Sequence, residues 1–323
     1  MINQFIYLAI AFVITAILGK IIIPLLKKLK IGQNERVDGP RAHLKKQGTP
    51  TMGGIMMIIT IIILMGIFFV INKDNPNIGP VIAIVLTSLG FGLVGFIDDF
   101  KKVVLKNTEG LNPKLKMLGL FVIACLYTGY LVGVAKIGSD IVIPLINYNL
   151  VLPNWIYIPF TILVMLSSTN AVNLTDGVDG LASSVSAIMI SAISIIAFRL
   201  GFPEISLFAA VVVGSCLGFL IYNVYKAKVM MGDTGSLLLG GIISSIMIYL
   251  KLPLVLILIA IIPVIETLSV ILQVLWVKFK GRRLLKMAPL HHHCELSGWR
   301  ENKVVGVFSV ITIIASVIAI IIV

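Results

Sequence analysis

The chain alternates between long apolar runs and short polar segments. Ten runs of about 20 residues are almost entirely apolar. The hydrocarbon core of a bilayer is about 30 Å thick and a helix rises about 1.5 Å per residue, so such runs predict membrane-spanning helices. Their approximate limits are 4–26, 52–72, 79–97, 115–135, 155–172, 181–198, 205–222, 235–250, 253–277 and 304–323.

Composition points to the same fold class. Of the 323 residues, 59% are hydrophobic and 12% are charged, whereas about a quarter are charged in an ordinary soluble domain. The sequence therefore predicts an all-α polytopic membrane protein, with residues 1–323 as a single integral membrane domain. The first run lacks a basic segment before it and a small-residue cleavage site after it, so we expect it to stay as a span.

The basic residues predict the orientation. Most of them fall in the loops 27–51, 98–114, 223–234 and 278–303, whereas the alternate loops hold only Lys73, Lys136, Arg199 and Lys251. Cytoplasmic loops carry the excess of Lys and Arg. We therefore expect these loops and 173–180 to face the cytoplasm, with both termini on the extracytoplasmic side. The net charge of +12 also suits a surface that attracts anionic phosphates or lipids.

The cysteines indicate no special chemistry. Cys125, Cys216 and Cys294 are scattered, with no CxxC spacing and no even count. Neither a disulfide framework nor a zinc site is expected.

Two adjacent carboxylates, Asp98 and Asp99, stand at the edge of the third apolar run in the segment FIDDFKK. One interpretation is a solvated helix end, in which they pair with Lys101 and Lys102. The other is a site for Mg²⁺, which takes oxygen ligands and keeps several waters and substrate phosphates. The segment alone favours neither.

The segment NAVNLTDGVDG places Asn173, Asp176 and Asp179 between two apolar runs. An ordinary Asx/Gly turn is one reading. Three oxygen-bearing side chains are more than a turn needs, and Gly177 and Gly180 suggest backbone brought close to a ligand. We favour a binding loop.

Asp233 lies between glycines just before the eighth run. Its simplest use is as an N-cap. A helix N-terminus that faces the cytoplasm also favours anions such as phosphate. Both uses are compatible.

Two basic segments complete the polar side. The segment PLHHHCELSGW contains His291, His292 and His293, and three adjacent imidazoles do not point one way, so we do not expect one metal held by all three. Contact with phosphate or sugar, with one histidine as proton carrier, is more plausible. In RAHLKKQGTPTMGG, Lys46 and Thr51 belong either to a lipid-contacting cluster or to a nucleotide-phosphate site.

Together these segments resemble the phospho-N-acetylmuramoyl-pentapeptide transferases, a branch of the polyprenyl-phosphate N-acetylhexosamine-1-phosphate transferase superfamily. The resemblance covers the whole chain, through KKQGTPTMGG, FIDDFKK, NLTDGVDGLA, MGDTGSL and PLHHHCE. The acidic motifs belong to the superfamily, and GTPTMGG and the triple histidine to the branch. Cys294 and Met230 depart from it, because the family usually has aromatic residues there, so Met230 is assigned no base-stacking role.

The resemblance implies a reaction at the cytoplasmic face of a bacterial plasma (inner) membrane. UDP-MurNAc-pentapeptide and undecaprenyl phosphate would give lipid I and UMP, with Mg²⁺ and without nucleic acid; a homodimer is one arrangement. It implies Asp233 as direct Mg²⁺ ligand with Asp98 and Asp99 beside it, and Asp98 as a base or orienting group. The resemblance implies that uridine and ribose are bound by Asn173, Asp176, Gly177, Val178, Asp179 and Asn223. It implies that phosphates are bound by Lys46, Thr51, Lys102 and Lys114. It places His291, His292 and His293 at the sugar-phosphate end of the substrate and counts them, with the three aspartates, among the catalytic residues.

The ninth run also predicts a feature of its own. Pro263 and the apolar-embedded Glu266 suggest a kinked or tilted helix, and we hypothesise that the bend opens a groove for a lipid tail. A helix-packing hydrogen bond is the other reading of Glu266.

Two alternative functions fit parts of the sequence pattern. A secondary transporter would place its charges near the bilayer midplane and show internal repeats, whereas here the charges lie at one surface and we see no repeat. A sister enzyme that transfers N-acetylglucosamine-1-phosphate is closer, and PTMGG and the histidines argue against it.

Overall fold

The computed structural model describes residues 1–28, 48–103, 110–146 and 148–323. Within these ranges, ten helices are long and apolar enough to cross a membrane, which confirms the polytopic fold class. Their orientation and the cytoplasmic position of the active site stay predictions. The helices are α1 (Ile2–Lys28), α2 (Gly54–Ile71), α3 (Ile78–Val103), α4 (Pro113–Gly129, continued by a π-turn at Tyr130–Val134), α5 (Asn154–Thr175), α6 (Leu181–Arg199), α7 (Pro203–Asn223), α8 (Gly232–Tyr249), α9 (Pro253–Ile259), α10 (Ile261–Lys280), α11 (Leu290–Leu296) and α12 (Glu301–Ile322).

The ninth predicted run, 253–277, forms two helices rather than one. The chain breaks at Ala260, whose φ of −90° and ψ of 29° are not helical. Pro263 lies in the first turn of α10, where the missing backbone N–H would have had no partner in the helix. The predicted bend is therefore present, three residues before the proline.

Helix α8 forms the centre of the bundle. Of its central residues 83% are buried, against 22% in α10 and 28% in α1 and α12, whose apolar side chains are left for lipid. Glycines let α8 approach its neighbours closely. A Cβ on Gly95 of α3 would lie 2.1 Å from the carbonyl oxygen of Asp233, and one on Gly54 of α2 would lie 2.3 Å from the nitrogen of Gly235.

A short hairpin is the exception to the helical fold. Strands β1 (Asp140–Ile143) and β2 (Tyr148–Val151) pair antiparallel, with Asp140 opposite Val151. Lys251 fixes the hairpin to the end of α8, because its Nζ lies 2.6 Å from Oδ1 of Asp140. This end is opposite to the one that holds Asp233, so the hairpin is remote from the acidic motifs.

Candidate active site

Asp233, in the first turn of α8, is the centre of a charged cluster. Its Oδ2 accepts hydrogen bonds from Nζ of Lys116 at 2.7 Å and from Nζ of Lys102 at 2.9 Å. Its Oδ1 accepts one at 2.7 Å from Nδ2 of Asn173, at the end of α5. The close packing of α3, α5 and α8 thus brings three sequence motifs to one carboxylate.

Asp98 shares the same two lysines. Its Oδ2 lies 2.7 Å from Nζ of Lys102 and 3.4 Å from Nζ of Lys116. Its Oδ1 accepts the backbone N–H of Leu111 at 2.6 Å. Asp98 is 2% exposed, so its charge is held by these partners rather than by bulk water.

Asp99 has a different set of partners. Its Oδ1 accepts the N–H of Asp233 at 3.2 Å, and its Oδ2 accepts the N–H of Thr234 at 2.9 Å and the hydroxyl of Thr234 at 2.6 Å. Asp99 therefore caps α8 across the helix interface, where the unpaired amides and the helix dipole favour a carboxylate. The capping expected of Asp233 is supplied by Asp99, and both Asp99 oxygens are engaged.

The carboxylates of Asp98 and Asp233 fit a divalent cation. Their Oδ2 atoms face the same two ammonium groups, so they converge on one position that favours positive charge. Among the described residues, no three His, Cys, Asp or Glu side chains form a complete metal site. Mg²⁺ suits such a place, because it is commonly bound by one or two carboxylates together with waters and substrate phosphates.

The predicted binding loop lies beside this cluster. Asp176 follows α5 directly, and burial, with the carboxylates of Asp233 and Asp99, raises the pKa of its carboxyl group. Oδ2 of Asp179 accepts the N–H of Ala227 at 3.0 Å. The loop is thereby joined to the segment that precedes α8.

Asn223 and Val178 are internal parts of the same framework. Oδ1 of Asn223 accepts the hydroxyl of Ser183 at 2.7 Å, and its Nδ2 donates to the carbonyl of Val229 at 3.0 Å. Asn223 and Val178 are 2% and 1% exposed. In this geometry they shape the loops, and direct contact of these two side chains with a nucleotide stays a prediction.

The GTPTMGG segment is hydrogen-bonded to the residues that directly precede α8. The N–H of Met230 donates to the carbonyl of Pro50 at 2.7 Å, and the N–H of Gly53 donates back to the carbonyl of Met230 at 2.9 Å. Thr51 is buried, and its Oγ1 would lie 2.9 Å from a Cβ on Gly232. Thr51 therefore adjoins the glycine before Asp233. Lys46 lies outside the described residues.

The three histidines point in different directions, as their adjacency predicts. Nδ1 of His291 lies 3.2 Å from Oε2 of Glu266, and Nδ1 of His292 lies 2.9 Å from Oε2 of Glu295. Nδ1 of His293 accepts the N–H of Lys286 at 3.1 Å. Of the three, His291 touches the binding loop, since a Cβ on Gly177 would lie 2.2 Å from its Nε2.

The cluster contains Lys116, which the sequence motifs do not indicate, whereas the phosphate-binding role expected of Lys114 stays a prediction. Lys114 is exposed, and residues two apart on a helix point about 200° away from each other. Lys116 lies inside the fourth apolar run, 115–135. A charged residue inside a spanning segment is itself a signal of function, and that signal identifies Lys116.

Comparisons with known proteins identify the family of the chain. Residues 81–251 match the model of glycosyl transferase family 4. The chain is 46% identical over 311 residues to the phospho-N-acetylmuramoyl-pentapeptide-transferase of Acetivibrio thermocellus, covering 96% of this chain and 92% of that protein. It is 47% identical over 312 residues to the enzyme of the same name from Clostridium perfringens strain 13, covering 97% and 96%. The chain belongs to the phospho-N-acetylmuramoyl-pentapeptide-transferase family.

Proposed function

We propose that this protein transfers phospho-MurNAc-pentapeptide from UDP-MurNAc-pentapeptide to undecaprenyl phosphate, giving lipid I and UMP. We place it in a bacterial plasma membrane as a multi-pass enzyme. The observation that carries the proposal is the convergence of Asp98, Asp233, Asn173, Lys102 and Lys116 at the ends of four helices. Phosphoryl transfer needs such a site, because the enzyme chiefly positions the reactants and stabilises charge.

The two lysines bind the transferred phosphate. Lys102 and Lys116 hold their ammonium groups between Asp98 and Asp233, at the centre of the cluster. Mg²⁺, held by Asp233 and Asp98, would neutralise charge on the donor's pyrophosphate and on the UMP that leaves. Asn173 keeps Asp233 in place, because its amide donates to both Asp233 and the hydroxyl of Ser236.

Asp98 orients the acceptor. A phosphate monoester has a second pKa of about 6, so undecaprenyl phosphate is largely a dianion at neutral pH and needs little deprotonation. We therefore favour an orienting or base role for Asp98 over covalent attack. The contacts of Asp98 with Lys102 and Lys116 support this role, because these lysines would bind the phosphates of acceptor and donor.

The acceptor's lipid tail occupies the groove between α5 and α10. This groove has a volume of about 280 Å³ and is lined by apolar residues of α5, α9 and α10, including Ala260, Pro263 and Val264. On α5 it extends to Ala171 and Val172. The next residue is Asn173, which donates to Asp233. A polyprenyl chain in this groove would therefore present its phosphate to the acidic cluster.

A direct assay tests the proposal. Purified protein in detergent is given undecaprenyl phosphate and Mg²⁺ with UDP-MurNAc-pentapeptide or with UDP-N-acetylglucosamine. We expect lipid I and UMP from the first donor alone. Lipid product from UDP-N-acetylglucosamine would support the sister transferase, and no product from either donor would contradict both. Asp233→Asn is the matched control, expected to lose activity while it still folds, as shown by a cooperative thermal unfolding transition.

Two further expectations accompany this proposal. EDTA is expected to abolish activity and Mg²⁺ to restore it, because without a divalent cation the carboxylates of Asp98 and Asp233 repel the donor's pyrophosphate. Light scattering of the detergent-solubilised protein would determine whether it forms the homodimer that the resemblance allows.

A further inference from the structure

A buried carboxylate connects α10 with the short histidine helix α11. Glu266 is 0% exposed and His291 is 1% exposed. The backbone N–H of His291 donates to Oε1 of Glu266 at 3.2 Å and to Oε2 at 3.4 Å. The ring Nδ1 lies 3.2 Å from Oε2, although the two atoms are not aligned as a hydrogen bond. The backbone and the ring of one histidine thus face a buried carboxyl group, and the backbone N–H supplies the hydrogen bond that makes this burial less costly.

The other side of the same imidazole contacts the binding loop. A Cβ on Gly177 would lie 2.2 Å from Nε2 and 2.7 Å from Cε1 of His291. The glycine backbone therefore lies against the ring. Gly177 lies four residues after Asn173, whose amide donates to Asp233. His291 is thus packed between Glu266 and a loop that adjoins the charged cluster.

Glu266 projects from a helix whose adjoining face lines the groove. Pro263, Val264 and Thr267 line that groove, whereas Glu266 is fully buried and directed toward α11. Val264 and Leu268, which also lines the groove, are each two residues from Glu266 and point to roughly the opposite face of α10. We therefore expect a change at Glu266 to leave these two groove residues in place. This separation allows donor and acceptor effects to be measured independently.

We propose that Glu266 is a positioning residue that fixes His291 against Gly177 and thereby sets the sugar-phosphate end of the donor site. This inference rests on the proposed transferase function. Glu266 acts through His291 and touches neither substrate. A displacement of about 1 Å in such a group costs up to about 100-fold in rate, which is the size of effect expected when the carboxylate is removed.

A double-mutant cycle tests the proposal. Glu266→Ala, His291→Ala and the double variant are purified, and kcat and KM are measured separately for UDP-MurNAc-pentapeptide and undecaprenyl phosphate. Each single change is expected to lower kcat/KM for the donor by about 100-fold, and the double variant to lose no more than His291→Ala, because residues that act as a unit are not additive. The KM for undecaprenyl phosphate is expected to stay within about twofold of the wild-type value.

The conservative variant supplies a second readout. Glu266→Gln keeps an oxygen that accepts the N–H of His291. We therefore expect its kcat/KM for the donor to be about tenfold higher than that of Glu266→Ala. Should Glu266→Ala fail to fold, as judged by its thermal transition in detergent, the cycle is run with Glu266→Gln. Glu204→Gln, a carboxylate change at the far end of α7 where Glu204 contacts Asn75, is the control and is expected to behave as wild type.

Additive losses, with the double variant down by the product of the two single effects, would overturn the proposal. An equal rise in both substrates' KM values in Glu266→Gln would overturn it as well, since it would show a general change in the fold. These outcomes are distinct from a failure of the proposed function, because in that case the wild-type protein itself would form no lipid I.

Discussion

Replacing Lys116 with Met tests whether its ammonium group competes with a metal ion for Asp98 and Asp233 or instead supports the metal site. Lys116 Nζ lies 2.7 Å from Oδ2 of Asp233 and 3.4 Å from Oδ2 of Asp98, and its side chain is 18% exposed. These are the same oxygens that would hold Mg²⁺. A metal that binds there must displace the ammonium groups, so Lys116 competes with the metal when no phosphate is bound.

The magnitude follows from these distances. At an effective dielectric constant of about 20, each contact corresponds to roughly 5–6 kcal/mol of attraction before desolvation. Truncating one partner of such a hydrogen-bonded charge pair costs about 2–5 kcal/mol net. If about 1.4 kcal/mol of that coupling opposes the metal, its loss tightens metal binding by about tenfold. Activity is expected to fall by at least about 100-fold, since the phosphates lose a charge-assisted donor.

Manganese titration followed by electron paramagnetic resonance measures the first effect on purified protein without substrate. Lys116→Met is expected to bind Mn²⁺ about tenfold more tightly than the wild type, and the lipid I assay gives the loss of activity. Lys101→Met, one residue before Lys102 on α3, removes the same charge outside the cluster and is the control. Weaker Mn²⁺ binding in Lys116→Met would refute the competition argument, because it would mean that Lys116 supports the site.

Three further changes probe the packing, the cap and the groove. Gly95→Ala is expected to lower stability by about 1–3 kcal/mol, because its Cβ would meet the Asp233 carbonyl, whereas Gly66→Ala, with open space around it, should unfold at the wild-type temperature. Thr234→Val removes the hydroxyl that donates to Asp99 and is expected to lower the free energy of unfolding by about 1–3 kcal/mol. Thr312→Val, which removes a hydrogen bond within one helix, is the control, and an equal loss in both variants would contradict the capping role of Asp99. Pro263→Leu is expected to raise KM for a long-tailed acceptor more than for a short-tailed one, and unchanged values for both would remove the groove from the mechanism.

The sequence predicts the spans well because the bilayer imposes one rule on each of them. Every backbone polar group in the hydrocarbon must be paired internally, so run length alone locates α1 to α8 and α12. The position of the break at Ala260 was not predicted, because in the sequence only Pro263 indicates a bend. The helix begins anew just before it, so Pro263 occupies the first turn rather than the kink itself.

The sequence predicts most members of the candidate site, with Lys116 as an exception, but not the contacts between them. Asp98, Asp233 and Asn173 meet as the motifs suggest, since charged groups at one end of a bundle must find partners. The sequence does not predict that Asp98 contacts the lysines while Asp99 caps α8. It depends on which of two adjacent carboxylates faces the α8 amides, and that follows from how α3 is rotated about its axis.

That rotation connects the packing to the chemistry. Gly95 lies three residues before Asp98 and four before Asp99, on the face of α3 that touches α8. Because Gly95 permits backbone contact at the level of Asp233, Asp99 reaches the first amides of α8 and Asp98 is left facing the lysines. A larger residue at 95 would move α3 outward and weaken both contacts together. The arrangement of the acidic cluster therefore depends on the absence of a side chain one helical turn away, as much as on the carboxylates themselves.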